Sequence, residues 1–366
     1  MFLARSNLLH DKTRLALSVI GVALSMMLII VLYGLRSGVY TQISGYLQHA
    51  PGSLVVLQKD ADNVLSGSSV LPPGSTEAVR AVPGVANVTP VVLFANVLDL
   101  DDQKVFAYLV GYDPALGGGP WRLASGRAPQ TDQEMVFDRV LASQHGIALS
   151  DTVTILGQPF AVVGLSDGTT SWMSSFLFMR KSAAESLLRR PGATSFLLVT
   201  PSAEANQQTV QESLRAVPGT DVLPKRTVIA NDRQLFGSVL NSPLQLMMGV
   251  AFLVGTLVVG LLIYTATAER QREYGVLKAV GAGNGILYRT VAIQALLTTL
   301  VGALIGIALS FGAARLIMAL RPQFLVTYGV ASIGGALLAG VVMALLAALF
   351  PVRAIASLAP ADVFRR

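Results

Sequence analysis

This chain of 366 residues contains no cysteine. That removes disulfides and zinc–thiolate sites together, so any domain it forms rests on its own core. Histidine is nearly missing too: His10, His49 and His145 stand far apart, without metal-ligand spacing. Charge is scarce, at 13% against 52% hydrophobic residues, and the mean hydropathy is +0.59. The glycine-rich stretches Gly117–Gly119 and Gly281–Gly285 are not followed by the Lys-Ser/Thr of a phosphate-binding loop. No ATP site of that type exists here, and Gly117–Gly119 reads as a flexible loop. Asp99, Asp101 and Asp102 lack the glycine and terminal glutamate of a calcium loop and read as a hairpin turn. No nucleophile, acid–base pair or metal cluster emerges, which argues against a membrane-bound enzyme: no catalytic residue and no metal ligand is assigned.

What the chain does have is long uncharged runs. Four stand out: Leu15–Leu35, Gln234–Ala268, Thr290–Ala314 and Pro322–Val352. Each exceeds the ~20 residues a helix needs to cross ~30 Å of hydrocarbon. Buried strands of a soluble protein run to only about 4–8 residues. The expected spans are 15–35, 243–268, 286–314 and 325–350. The first run, at 21 residues, outruns the ~7–15 of a signal-peptide core and reads as an uncleaved anchor.

Basic residues set the orientation. Arg5, Lys12 and Arg14 precede the first span, Arg270, Arg272, Lys278 and Arg289 lie between the second and third, and Arg353, Arg365 and Arg366 follow the fourth. Only Arg315 and Arg321 flank the short connection between spans three and four. Segment 1–14, segment 269–285 and tail 351–366 are therefore expected in the cytoplasm, with 36–242 outside. Residues 36–242 hold 15 Lys/Arg against 17 Asp/Glu, and the remainder holds 12 against 4. The basic excess thus sits at the membrane edge beside anionic lipid, which argues against nucleic-acid binding.

The outer segment is expected to be α+β, carried on helical stalks. Val39/Tyr40, Ile43 and Tyr46/Leu47 recur at helical spacing, as do Val228/Ile229, Leu235/Phe236 and Val239/Leu240. Between them lie strand-like runs at Ser53–Leu57, Val91–Leu98, Val105–Gly111, Thr152–Leu156, Phe160–Leu165 and Ser195–Thr200. One phrase occurs twice, as Glu77–Gly84 (EAVRAVPG) and Glu212–Gly219 (ESLRAVPG). It reads either as two related α/β units in a lobed domain or as a common helix stop used twice, since proline and glycine both end helices.

The charged stretch Glu269–Ala282, set between apolar runs, carries Arg270, Arg272, Glu273, Gly275, Lys278, Ala279, Gly281 and Ala282. This pattern resembles the cytoplasmic coupling segment of MacB/FtsX-type ABC transporter permeases. The tail from Phe350-Pro351 to Phe364-Arg365, together with Ala81–Val85, Gly126-Arg127 and Phe160–Gly164, is also similar to family phrases. Many relatives carry Glu-Ala where this chain has Gln294-Ala295, so a charge-linked role at that point is not implied. The resemblance implies an α+β integral membrane protein of the bacterial cytoplasmic (inner) membrane. It would have four transmembrane helices and one large extracytoplasmic domain between helices 1 and 2.

The same resemblance implies an efflux permease driven by a separate ABC ATPase through Arg270, Arg272, Glu273, Gly275, Lys278 and Gly281. It implies a homodimer or a close heterodimer, contact with lipid and an extracytoplasmic adaptor. ATP is used by the partner subunit and no cofactor is expected in this chain. Relatives of similar size include HrtB-type haem exporters and DevC-type glycolipid exporters. Met26, Met27, Tyr33, Met247 and Met248 are candidates to line a substrate or dimer interface, because thioethers suit flat apolar guests such as haem. Their plainer reading is gap-filling between helices. Gly302, Gly306 and Ser310 would let helices approach closely, within one chain or between two. A second functional class, an FtsX-like relay that moves no substrate and controls an outer partner such as a cell-wall hydrolase, stays open.

Overall fold

The computed structural model describes residues 12–66, 69–100, 102–171, 174–269, 276 and 284–356. They divide into two units: Met1–Gly38 with Leu240–Arg321 and Val326–Arg366, and Val39–Val239 with Pro322–Leu325.

The first unit is helical. Helix α1 (Lys12–His49) opens the chain, and α6 (Lys225–Glu269), α7 (Asn284–Leu320) and α8 (Val330–Ala356) close it. Within them, four stretches are long and apolar enough to cross a membrane: Val19–His49, Lys225–Thr265, Ala295–Leu320 and Ser332–Leu349. Helix α8 starts at Val330 rather than 325, because residues 322–329 form an irregular connection. Pro243 sits inside α6, where its missing N–H removes one i→i−4 hydrogen bond. Ala268 and Glu269 remain helical, so the apolar run ends within α6.

The second unit is an α/β domain between the first and second spanning helices. Its eleven strands are β1 (Leu54–Gln58), β2 (Val85–Leu100), β3 (Gln103–Tyr112), β4 (Leu123–Gly126), β5 (Glu134–Asp138), β6 (Thr152–Ile155), β7 (Gln158–Ser166), β8 (Thr170–Ser171), β9 (Ser174–Arg180), β10 (Phe196–Pro201) and β11 (Thr220–Pro224). The short helices are α2 (Ser75–Arg80), α3 (Arg139–Gln144), α4 (Lys181–Leu188) and α5 (Gln207–Leu214). The sheet runs β11-β1-β10-β2-β3-β9-β5-β7-β4. Strand β2 serves two lobes: residues 85–91 pair with β10 and residues 92–100 pair with β3.

The first lobe is β1-α2-β2 plus β10-α5-β11. Its order is β11-β1-β10-β2 with every neighbour antiparallel, which is a split βαβ arrangement. The repeated phrase ends α2 in one half and α5 in the other. Gly84 and Gly219 both take positive φ, 86° and 74°, the left-handed turn that glycine enters most readily. A Cβ on Gly84 would lie 2.8 Å from Val210 Cγ2, and one on Gly219 would lie 2.9 Å from Pro72 Cγ. The repeat therefore marks two equivalent halves of one lobe, not one copy per lobe. Val79, Val210 and Leu214 bury those helices on Leu54, Val56, Leu197, Val199 and Val222.

The second lobe is inserted between β2 and β10, with its own core around Leu109, Phe137, Phe160, Val162 and Leu177. Asp99 and Asp102 flank the tight β2–β3 turn, and Asp102 has φ 60°. Gly117–Gly119 proves to be packed instead of flexible. Gly118 accepts a hydrogen bond from Tyr46 Oη at 2.9 Å, and a side chain on Gly119 would run into the Tyr112 ring. Tyr46, near the end of α1, stacks on Phe176 at 5.6 Å and meets Phe196 edge-on at 6.3 Å.

Asp138 organises this lobe. Its side chain is fully buried and caps α3 by accepting Leu141 N–H at 2.9 Å. Thr169 Oγ1 lies 2.7 Å from it, Ser166 Oγ lies 2.6 Å from Thr169, and Ser166 donates to Phe137 O at 3.1 Å. Thr170 Oγ1, at 3.1 Å, and Ser175 Oγ, at 3.2 Å, also donate to the carboxylate. Burial raises the Asp138 pKa, against these hydrogen bonds to its oxygens. Its folded value lies above its unfolded one. The stability it contributes is therefore full below the ordinary carboxylate range and declines as pH rises through the folded value. Asp138→Asn, which cannot ionise, should lose that decline. Asp138→Ala should cost about 2–4 kcal/mol through the lost cap and stranded hydroxyls. Thermal unfolding of the full chain in detergent at acid and neutral pH checks both.

Candidate functional site

The spanning unit has few charges and no hydrophobic drive between its helices once they lie in lipid, so close packing must hold it together. Glycine supplies the closeness. A Cβ on Gly302 would lie 2.6 Å from Val22 Cβ, and one on Gly306 would lie 2.7 Å from Ala23 O and 2.8 Å from Met26 Cβ. Helix α7 thus rests on α1 backbone to backbone. A Cβ on Gly255 would lie 2.7 Å from Ser25 Cβ, bringing α6 against α1 in the same way. The stripe Gly302, Gly306 and Ser310 is therefore spent on packing inside the chain. Ser310 is fully buried and receives Tyr328 Oη on its carbonyl at 2.9 Å.

The methionine candidates fall into different environments. Met26 is fully buried, with its sulfur 3.2 Å from a Cβ built on Gly340 and its own Cβ facing Gly306. Met27 and Met248 are half-buried, whereas Met247 is 52% exposed on α6. Tyr33 is half-buried under the Arg36 guanidinium, 5.9 Å from its ring centroid. Arg36 Nε also donates to Asn241 Oδ1 at 2.9 Å, tying α1 to α6. Five residues grouped by residue type thus do not share one surface.

A second device was not legible from residue types alone. Gly34 on α1 leaves room for the ring of Tyr328 and for Val326, and Thr327 N–H donates to Gly34 O at 3.1 Å. Tyr328 meets Phe311 of α7 edge-on at 5.0 Å. In the α/β unit, Gln323 accepts from Gln42 Nε2 through its carbonyl and from Gln144 Nε2 through its side chain, both at 2.9 Å. The connection between α7 and α8 is therefore hydrogen-bonded along its length. Only the uncharged character of 322–329 was visible beforehand.

The candidate coupling residues Arg270, Arg272, Glu273, Gly275, Lys278 and Gly281 lie outside the described residues. Two helices bracket them, α6 ending at Glu269 and α7 starting at Asn284. No group of three or more His, Asp or Glu side chains placed to hold a metal occurs among the described residues.

Long apolar helices, an inserted split βαβ lobe and a charged segment between the second and third spans form a recognisable set. Residues 15–217 match the family model of the MacB-like periplasmic core domain, and residues 246–360 match that of the FtsX-like permease C-terminal. The chain belongs to the MacB/FtsX-like ABC transporter permeases. An uncharacterized ABC transporter permease of Mycobacterium tuberculosis (strain ATCC 25618 / H37Rv) is 23% identical over 367 residues, covering 100% of this chain and 99% of its own length. HrtB of Staphylococcus haemolyticus (strain JCSC1435), a permease named for hemin transport, is 22% identical over 308 residues, with 84% and 83% covered. The crystal structure of the periplasmic region of MacB from Actinobacillus actinomycetemcomitans aligns at 15% identity and a TM-score of 0.37, covering 50% of this chain and 94% of that one.

This MacB/FtsX-like permease is a multi-pass membrane component of an ABC system, and membership implies an ATPase partner. Its helix packing is open to test. Gly306→Val should push α7 off α1 and cost about 1–3 kcal/mol. Gly334→Ala, where a Cβ meets nothing within 4 Å, should leave stability unchanged. Thermal unfolding of both variants in detergent is the measurement.

Proposed function

We propose that this chain is the force-transmitting permease of an ABC efflux system, moving a hydrophobic or amphipathic substrate. The observation that carries the reading is helix continuity. Helices α1 (Lys12–His49) and α6 (Lys225–Glu269) each contribute residues to both the spanning unit and the α/β domain. In the α/β domain, the end of α1 is stitched to the start of α6. Lys225 Nζ donates to Ala50 O and Lys225 N–H donates to Ser53 O, both at 2.8 Å. Displacement of α6 at its charged end is conveyed along a rod that cannot shorten without breaking its own hydrogen bonds.

In this reading both termini and segment 269–285 face the cytoplasm, and 36–242 lies outside the cytoplasmic membrane of a bacterium. Arg270, Arg272, Glu273 and Lys278 form ion pairs with the ATPase, and Gly275 and Gly281 belong to the same coupling phrase. Two copies of the chain pair with two ATPase subunits, surrounded by lipid, and an extracytoplasmic adaptor meets the α/β domain. Similarity to a permease named for hemin transport supports an amphipathic guest, haem among the candidates. With Met26 closed off, thioether contacts would fall to Met27 and Met248.

One observation favours the alternative relay function. Val97 and Phe106, direct cross-strand partners on the β2–β3 hairpin, are 55% and 40% exposed, as an outer protein partner would require.

The test is ATPase activity of the chain reconstituted with its cognate ATPase in lipid, screened with haem, lipopeptides, macrolides and glycolipids. Stimulation by one guest supports export. Stimulation by none of them, with activity responding to an outer protein, supports the relay. Arg272→Glu and Gly275→Pro should insert normally yet separate hydrolysis from guest response. Wild-type coupling in both would remove the assignment of 269–282.

A further inference from the structure

Helix α6 carries a groove that neither the packing nor the coupling account uses. Leu257, Gly260, Leu261 and Tyr264 fall at i, i+3, i+4 and i+7, one face of the helix, and line a cleft of about 300 Å³. That volume is at the lower end of small-molecule sites, which run from about 300 to 1,000 Å³. Gly260 makes the depression: lacking a side chain, it leaves α6 close to α8, where a Cβ would stand 3.5 Å from Ala347 O. Leu257, Leu261 and Tyr264 rim it and are 54%, 63% and 43% exposed.

The surroundings identify what fills it. The groove is cut into a spanning helix whose apolar window is only 29% buried by the rest of the chain, which leaves it uncovered in a single chain. Among the described residues that line it, one phenol is the only side chain that could partner water. The polarity is also directional. Leu257 lies deepest, Tyr264 lies one residue before the span closes at Thr265, and the first charge after it is Glu269. Tyrosine at that depth belongs at the headgroup boundary. An apolar tail along Leu257–Leu261 with a polar head beyond Tyr264 matches this gradient. A purely apolar guest would leave the phenol unmatched.

We propose that this groove is a binding site for the acyl tail of a membrane-dissolved amphiphile, admitted sideways from the leaflet next to segment 269–285. Its use as a substrate entry rests on the export reading above; the tail site itself stands on the geometry of α6 and α8.

The test uses the full chain with its cognate ATPase in nanodiscs of phosphatidylethanolamine and phosphatidylglycerol, doped with a phosphatidylglycerol bearing a diazirine on one acyl chain. After irradiation, label on the peptide spanning 257–264 should exceed label around Leu304, a lipid-facing residue 59% exposed on α7, by about tenfold. Gly260→Leu should remove the excess. Should that variant fail to fold, Leu257→Trp fills the groove from its open side, and Gly260→Ala should lower the excess partway. Equal labelling of the two faces overturns the site. So does efficient disulfide formation between two copies of Leu261→Cys, which would make the groove an interface between chains. Retained labelling without ATPase stimulation by any acylated amphiphile overturns the use of the groove as a substrate entry and leaves the tail site standing.

Discussion

A peptide group in hydrocarbon must find its hydrogen bond inside its own helix. Nearly everything in this chain follows from that constraint. It makes the spans helical and gives a rod no internal joint unless a residue supplies one. In α6, Pro243 removes one backbone bond, yet the helix continues through it. The same constraint leaves side chains to decide how helices pack, and with no water to expel the deciding factor is closeness. Gly302 and Gly306 bring α7 onto α1, Gly255 brings α6 there, and Gly260 brings α6 near Ala347 of α8. Where that last approach leaves the outer face uncovered, a groove results.

In the α/β unit the constraint changes, because strands pair with neighbours and hydrophobic burial drives the core. Polar groups still need partners once buried. Asp138 shows how the lobe handles this: one side chain caps α3, joins β5 to the segment that carries Thr169, and accepts hydrogen bonds from Thr169, Thr170 and Ser175. Tyr46 does the corresponding work for α1. Its ring lies among Phe176, Phe178 and Phe196, and its hydroxyl finds Gly118. Aromatic packing and the Gly118 hydrogen bond therefore join the Lys225 contacts in holding the end of α1.

Spans, the inserted domain and the family phrase were legible because they depend on local composition. A run of uncharged residues, an alternating strand or a Pro-Gly stop announces itself within a few positions. Six strand-like runs were read correctly, yet β4, β5, β8, β9 and β11 were missed; β9 (SSFLFMR) is an apolar run too short for periodicity to classify. The repeat was visible, but its meaning was not. Whether two copies build one lobe or two depends on strand order, which is non-local. The methionine candidates fall into different environments for a similar reason. Residue type does not say which side of a helix faces a neighbour, and Met26 differs from Met247 only in that. Gly34 and Gly260 were invisible as functional positions, since their meaning lies in what stands opposite, Tyr328 and Ala347.

The central claim is that α1 and α6 convey movement from the charged segment to the α/β domain. Spin labels at Gln48, exposed near the end of α1, test it directly in the complex with the ATPase. The distance between labels on the two copies would be measured by electron–electron resonance, without nucleotide and with ATP trapped. The account predicts that the distance distribution shifts on trapping. An unchanged distribution, with ATP demonstrably bound, contradicts it.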